Sequence, residues 1–403
     1  MTIPQPLAGI RILDFCWMIA GPLTTRLLGD LGAEVIKVES LARIDAIRTV
    51  GVQPPGMMSP DTNAVFHDCN ANKKSICLNL GEPRAIELAK DLSRHCDVVT
   101  SNFTPDRMDR WGLGYNDLRA VKPDIIVASM PVMGNEGPHS TWRAVGNGVI
   151  AMSGLNAHTG FLGRPPAGLG TLHSDFTSPY LGALQIAAAI YHRRRTGEGQ
   201  FIELAQYEAT VHLLDTEPLE ALINREEPAP PGNRSREHAP HGVFPCIGDD
   251  RWIAIVARSD AEWAALCRVL GLTELLNRPG LATVPGRLAA VDEIELAIAE
   301  RTAQFDAWDL AEALVTSGVP ASPVEDIGDL AGRDPMREGF LEEIALPAGE
   351  SMLLQHEPVK WDGKRFPLSR APLLGEHTGA VLSTLLGLSS EELADLAAAG
   401  VLS

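Results

Sequence analysis

The sequence predicts an α/β protein whose larger part holds a parallel sheet and whose smaller part is α+β, and three observations carry that expectation. Short β-branched runs alternate with longer helical patterns through the first third of the chain, a Pro- and charge-rich crossing follows a long apolar helix, and a hairpin pattern opens beyond it. Taken in order, strands are expected at 10–14, 34–38, 75–80, 97–100 and 124–130. Between them, 22–31 and 83–92 repeat apolar residues at helical spacing, and each opens with Pro, which suits the first helical position. Helices crossing between parallel strands follow from that order. A long helix is expected over 179–195, ending in Arg193, Arg194 and Arg195, which complement its negative end before the turn Thr196-Gly197-Glu198-Gly199. Residues 217–240 are rich in Pro and charge and read as a linker. A hairpin pattern, 242–246 and 252–256 around Gly248-Asp249-Asp250, opens the next unit, and Ala- and Leu-rich helices continue it to about 315. The expected division is a large domain over 1–216, the linker 217–240, a small α+β domain over 241–345 and a C-terminal segment over 346–403. The last helix of that segment carries a capping-box pattern, Ser389-Ser390-Glu391-Glu392.

Composition narrows the function classes. With 403 residues and 45% hydrophobic content the chain can bury a large core. No run approaches the ~18 consecutive apolar residues of a membrane span, and 1–6 lacks a basic segment followed by an apolar one, so a cytoplasmic protein without membrane attachment is expected. The six cysteines (Cys16, Cys69, Cys77, Cys96, Cys246, Cys267) show no C-x-x-C spacing, which points to free thiols rather than a zinc site or a disulfide framework. The formal net charge of -18 repels nucleic acid and anionic lipid, so an anionic ligand needs a local basic cluster.

Four stretches stand out as candidate chemistry. The loop Asp14-Phe15-Cys16-Trp17-Met18-Ile19-Ala20-Gly21-Pro22 follows the first strand, where an open parallel sheet presents its ligand crevice. It lacks G-x-G-x-x-G, so the dinucleotide fingerprint is absent even though Glu39 ends the second strand where a ribose acid would lie. Lys73-Lys74 before one strand, and Arg107 and Arg110 beyond Ser101-Asn102-Phe103-Thr104-Pro105, are phosphate candidates whose plainer reading is a solvated charged surface. Asp175 precedes Ser178-Pro179, which by itself is a good cap and first-turn pair, so Asp175 is read as a carboxylate the helix does not need for capping. On the residues alone a structural role for Asp175 stays open, as does one for His173. No G-x-S-x-G elbow and no H-E-x-x-H pair occurs, which disfavours serine hydrolases and zinc proteases.

Six blocks in order resemble the family III CoA-transferases, the CaiB/BaiF family. They are Pro6-Leu7-Ala8-Gly9-Ile10-Arg11-Ile12-Leu13-Asp14 with Ala20-Gly21-Pro22, Leu31-Gly32-Ala33-Glu34-Val35-Ile36-Lys37-Val38-Glu39, Asn72-Lys73-Lys74-Ser75-Ile76, Asp97-Val98-Val99 with Asn102-Phe103, Arg195-Thr196-Gly197-Glu198-Gly199-Gln200, and Ala371-Pro372-Leu373-Leu374-Gly375-Glu376-His377-Thr378. The resemblance implies a Rossmann-like large domain completed by the C-terminal segment, a smaller domain, and an interlocked homodimer. It implies transfer of coenzyme A from an acyl-CoA thioester to a carboxylic acid, with Asp175 as covalent nucleophile, a dry closed site and backbone N–H groups on the oxyanion. Coenzyme A is then a substrate, and no metal or permanently bound cofactor is expected. The family's CoA-lining positions fall on Met18, Ile19, Ala20, Leu78, Asn102, Phe103 and Arg110, with Arg143 near a basic one. Arg110 with Arg143, or Lys73-Lys74, would supply the positive field for the nucleotide.

Two departures sharpen the expectation. Racemases of 2-methylacyl-CoA share the fold and carry a His-Asp pair where this chain has Val145, Gly146 and Asn147, none of which titrates, so an isomerase is the alternative rather than the first reading. Formyl-CoA enzymes carry a run of glycines that 231–242 lacks, which points away from formyl or oxalyl substrates. Trp17, Met18 and Phe176 would suit a larger or more apolar acyl group. A non-catalytic subunit of a heteromeric transferase is the other alternative, and the presence of Asp175 weighs against it.

Overall fold

The structure, a computed structural model, describes residues 5–51, 59–161, 163–214, 216–225, 230, 232–335, 338–346, 349 and 351–403. The chain forms two compact units: Met1–Asn156, Gly168–Glu226 and Glu338–Ser403 make the larger, and Ala157–Ala167 with Glu227–Arg337 the smaller. Through the larger unit run β1 (Arg11–Asp14), α1 (Ala20–Asp30), β2 (Glu34–Glu39), α2 (Ala64–Asn70), β3 (Lys73–Cys77), α3 (Pro83–Ser93), β4 (Val98–Ser101), α4 (Arg107–Arg110), α5 (Tyr115–Val121), β5 (Ile126–Ser129), α6 (Gly146–Met152), α7 (Leu155–His158, whose second half belongs to the smaller unit), α8 (His173–Thr196) and β6 (Phe201–Glu203). The six strands pair in the order β3-β2-β1-β4-β5-β6, and every pairing is parallel. This α/β order reverses between β1 and β4, the topological switch point of a doubly wound sheet.

The pleat explains why the strands read as near-continuous apolar runs. Leu13, Ile36, Val99 and Val127 bury one face against Leu88 and Leu92 of α3, while their neighbours Ile12, Val35, Val98 and Ile126 bury the other against Leu28 of α1 and Ile186 and Ile190 of α8. The C-terminal segment completes the first of these layers, contributing Val381, Leu382 and Val401. It is tied to β3 by the His377 N–H on the Ser75 carbonyl and by the Cys77 N–H on Thr378 Oγ1, both at 2.9 Å.

In the smaller unit β7 (His241–Pro245), β8 (Trp252–Val256) and β9 (Ala321–Val324) form an antiparallel sheet in sequence order. Helices Asp260–Leu270, Val291–Thr302 and Ala307–Thr316 cover it through Trp263, Leu266, Ile294, Ile298, Leu310 and Leu314. A hairpin of β10 (Leu341–Ala345) and β11 (Ser351–Gln355) belongs to the larger unit. Among the described residues no helix is long and apolar enough to cross a membrane.

Several expectations need correction. The stretch expected as a linker holds a helix, Glu217–Asn224, with Pro218 in its first turn; composition misled because Pro there starts a helix rather than breaking one. The excursion Ala157–Ala167 belongs to the smaller unit, and Glu338–Ser403 to the larger. Strand β6 was not expected at all, since its three residues carry too little pattern. The last helix, Ser390–Ala398, does have the capping box, with Ser389 and Glu392 bonding reciprocally. Ser389→Ala is expected to cost about 1 kcal/mol of stability, measurable as a shift in denaturant midpoint without loss of cooperativity.

Candidate active site

A cavity of about 620 Å³ opens in the larger unit at the carboxyl ends of β1, β2, β3 and β4, astride the switch point. Its walls come from the loop after β1 (Phe15, Trp17, Met18), the end of β2 and the turn beyond it (Val38, Glu39, Arg43), and Leu78 after β3. The loop after β4 (Asn102, Phe103, Thr104), Arg107 and Trp111 around α4, and Trp142 to Ala144 ahead of α6 complete them. Asn102 locks two of these loops together: its carbonyl oxygen accepts from the Trp17 N–H at 2.9 Å and its amide donates to the Trp17 carbonyl at 2.8 Å. Trp17, Phe103 and Trp111 form an edge-to-face series with centroids 5.7 and 5.6 Å apart.

The charge of this wall runs against that of the chain. Arg43, Arg107 and Arg143 all line the cavity, and Glu39 is its one acid among the described residues. Arg43 lies over Trp17 at 5.4 Å and Arg107 over Trp111 at 5.5 Å, so the aromatic faces hold both guanidinium groups. Glu39 is already neutralised by Arg48, whose Nε and Nη2 donate to its two oxygens at 2.8 and 2.7 Å. Burial alone would raise the Glu39 carboxyl, but the Arg48 hydrogen bonds and the nearby Lys37 hold it below its ordinary range.

Asp175 sits in the first turn of α8, which begins at His173 with Pro179 inside it. The expectation that Ser178 and Pro179 start this helix is therefore corrected. The true start, at Leu172, has no side-chain cap, whereas the hydroxyls of Thr177 and Ser178 donate to the carbonyls of His173 and Ser174 at 3.0 and 2.7 Å. Asp175 is half-buried near Leu172 and Phe176, which pack with Ile19, Ile47 and Phe66. Burial pushes its carboxyl from 3.8 to about 6, the nearby Gly146 backbone pulling the other way, and among the described residues no cation pairs with it. Gly146 leaves room for the carboxylate: a Cβ there would stand 2.7 Å from Asp175 Oδ2. The cavity wall reaches Ala144, two residues before Gly146, and Met18, one before Ile19, so the same two segments line the cavity and flank Asp175.

Of the residues singled out from sequence, Met18, Leu78, Asn102, Phe103 and Arg143 line the cavity. Ile19 and Ala20 are buried behind it at the start of α1, and Arg110 is exposed at the end of α4, outside the lining that Arg107 joins instead. The Lys73-Lys74 pair is not a phosphate site. Lys73 is fully buried on Asp14, Thr25 and Asn70 at 2.8–3.1 Å, and Lys74 pairs with Glu34 at 2.6 Å. Sequence reading missed Arg43, whose signal was a basic residue just past the end of β2, and named Arg107 with Arg110 as phosphate candidates while the family resemblance carried Arg110 alone into the CoA-lining set.

Residues 7–378 match the profile of CoA-transferase family III. The chain belongs to that family. A solved CaiB/BaiF family protein from Brucella suis is 30% identical, superposes with a TM-score of 0.85, and covers 95% of this chain and 100% of its own. Among curated relatives, the succinyl-CoA:mesaconate CoA-transferase of Haloarcula marismortui is 32% identical over 387 residues, 93% of this chain and 94% of the relative. The succinate–glutarate CoA-transferase of Agrobacterium fabrum is 30% identical over 393 residues, 94% and 96% of the two chains. As a CoA-transferase this protein moves coenzyme A from an acyl thioester to a carboxylic acid. Its cavity has an apolar and aromatic interior with three arginines, Arg43, Arg107 and Arg143, at the wall.

Proposed function

We propose that this CoA-transferase works through a covalent intermediate on Asp175. The observation that carries the proposal is the carboxylate itself: desolvated, without a cationic partner among the described residues, and set against Gly146, two residues beyond the cavity wall at Ala144. A carboxylate oxygen attacks the thioester carbonyl, the carbon–sulfur bond breaks, and CoA thiolate leaves a mixed anhydride. The thiolate then attacks the aspartyl carbonyl, releasing the donor acid and forming an aspartyl-CoA thioester, and an acceptor acid reverses both steps. Stripping water from the carboxylate makes it a better nucleophile, which is the use of a carboxyl held near pH 6.

Within this reading Met18, Leu78, Asn102, Phe103, Arg43, Arg107 and Arg143 receive the CoA moiety, with Ile19 and Ala20 shaping the loop that carries it toward Asp175. Replacing Arg43, Arg107 or Arg143 by Ala is expected to raise KM for acyl-CoA roughly tenfold with kcat near wild type. Added salt should raise the wild-type KM as well. Thioester titrations at low and high ionic strength check both, and KM values insensitive to all three changes would place the nucleotide elsewhere.

The experiment for the covalent step is intact mass after incubation with a panel of acyl-CoA thioesters and trapping with hydroxylamine or borohydride, in wild type and Asp175→Ala. The panel begins with succinyl, glutaryl and mesaconyl thioesters, which the relatives' names point to, and extends to apolar acyl groups, which Trp17, Met18 and Phe176 favour. An adduct mapping to Asp175 and absent from the variant supports the proposal. Proton exchange at the α-carbon in deuterated water without any adduct would favour the isomerase, although Val145, Gly146 and Asn147 beside Asp175 offer no second proton carrier.

We further propose an interlocked homodimer with a Rossmann-like large domain, located in the cytoplasm. Exposed apolar side chains support a partner surface, with Leu184 and Tyr191 of α8 and Leu222 and Ile223 of the helix Glu217–Asn224 all more than half exposed. Six cysteines held as buried free thiols suit a reducing compartment. Light scattering on the purified chain alone, giving twice the chain mass together with transferase activity, is the expected result.

A further inference from the structure

The loop that joins β1 to α1 has its backbone held from several sides by side chains. The Cys16 N–H donates to Asp14 Oδ1 at 2.9 Å, and the Cys16 carbonyl accepts from Lys37 Nζ at 2.6 Å. Asn102 holds both polar groups of Trp17. The Met18 N–H donates to Asp45 Oδ1 at 3.1 Å, and Asp45 Oδ2 meets Lys37 Nζ at the same distance, both side chains being fully buried. Met18 has φ 64, the left-handed region that a residue with a Cβ occupies only when its surroundings keep it there.

Met18 also stands at a junction. Its own side chain lines the cavity, while the next residue, Ile19, packs with Leu172 and Phe176 on either side of Asp175. A relaxation of Met18 toward an ordinary backbone conformation would turn the chain between those two contacts. We propose that Asp45, oriented by Lys37, is a positioning residue that holds Met18 left-handed and thereby sets the alignment of the CoA cavity with Asp175. Asp45 lies outside the cavity lining, so it acts through the loop and not on the substrate. The proposal rests on reading the cavity and Asp175 as the CoA-transfer site.

A buried ion pair that merely stabilises the fold would make a different prediction, and glycine separates the two. Glycine at position 18 reaches the left-handed region without a Cβ penalty, whereas alanine removes the same long side chain but keeps the penalty. Full-length Asp45→Ala is expected to lower kcat/KM by roughly 10- to 100-fold, from misplacement at a distance from the chemistry. In that background Met18→Gly should be several-fold more active than Met18→Ala, roughly tenfold at best, while the two single substitutions at 18 in the presence of Asp45 should resemble each other. Should Asp45→Ala not give a cooperative melting transition, Asp45→Leu, close to Asp in shape and without an acceptor for the Met18 N–H, carries the same Gly and Ala pair. Equal activity of the Gly and Ala versions in both backgrounds, or an Asp45 variant that melts earlier with unchanged kcat and KM, would overturn the proposal. Asp175→Ala is measured alongside: if it retains transfer, the reading of the site itself fails, and if it is inactive while glycine rescues nothing, only the role of Asp45 fails.

Discussion

Asp175→Asn is expected to lower CoA transfer by at least about 10⁴-fold and at the same time to stabilise the protein. Loss of activity follows because the amide cannot supply the attacking oxygen, and among the described residues no other carboxylate is placed against Gly146. The gain in stability follows from the cost of burying the charge. Burial raises the Asp175 carboxyl to about 6, so the folded protein holds this proton more tightly than the unfolded chain does. The stability associated with the neutral form is fully present below the unfolded value near 3.8 and is lost as pH rises through about 6. Above that, the wild type carries an ionised, half-desolvated carboxylate, and the amide variant should be more stable by on the order of 2 kcal/mol, discounted for the solvent that still reaches the group. Denaturant melts at pH 4 and pH 8 check the sign: equal midpoints at the lower pH and a more stable variant at the higher. The wild-type rate should in turn show an acid limb near pH 6, where the nucleophile takes up its proton. A variant that is inactive but no more stable than wild type at pH 8 would mean that Asp175 is not desolvated in solution.

The same residue shows where sequence reading reached and where it stopped. Asp175 was visible as a carboxylate beside a long helix, but its place was misjudged. Ser178-Pro179 imitates a helix start, and the actual start at Leu172 has no side-chain cap to announce it. The parallel sheet was legible because both faces are buried, so Ile12-Leu13, Val35-Ile36 and Val98-Val99 are unbroken apolar pairs. By contrast, β6 has three residues, and a strand that short is set by its neighbour β5 rather than by its own pattern. The arginines of the cavity were only partly legible. A four-residue helix gives no periodicity from which to decide whether Arg107 or Arg110 turns inward, and Arg43 is placed by a turn that no motif marks. Lys73 was read as surface charge because lysine is rarely buried, and its burial depends on Asp14, Thr25 and Asn70, which lie 59, 48 and 3 residues away in sequence. Membership of the 157–167 excursion in the smaller unit is likewise a matter of tertiary contact, with no local signal to reveal it.

Gly146→Ala should abolish most activity without unfolding the protein, by roughly 10²- to 10³-fold in kcat. The added Cβ would stand 2.7 Å from Asp175 Oδ2, 2.9 Å from Leu172 Cβ and 3.1 Å from Asp175 Cγ, closer than non-bonded atoms tolerate, so the carboxylate has to move. The backbone poses no obstacle, since Gly146 is the first residue of α6 and is not among the positive-φ glycines, and Ala is a better helix former than Gly. Displacement also moves the carboxylate relative to the Gly146 backbone, whose influence pulls the Asp175 carboxyl down, so the acid limb of the rate profile should move above pH 6. KM for acyl-CoA should change less than kcat, because Arg43 and Arg107 of the cavity stand on other segments and Arg143 alone shares this one. Gly148→Ala serves as the control: its Cβ meets only Ala144 Cβ, at 3.2 Å, and the carboxylate is untouched. Steady-state rates across pH for the two alanine variants decide the matter. A Gly146→Ala enzyme with the wild-type rate and an unmoved limb would show that the contact between this glycine and Asp175 has no part in catalysis, whereas a slow variant with an upward-shifted limb would tie the rate to the fit of one carboxylate against one glycine.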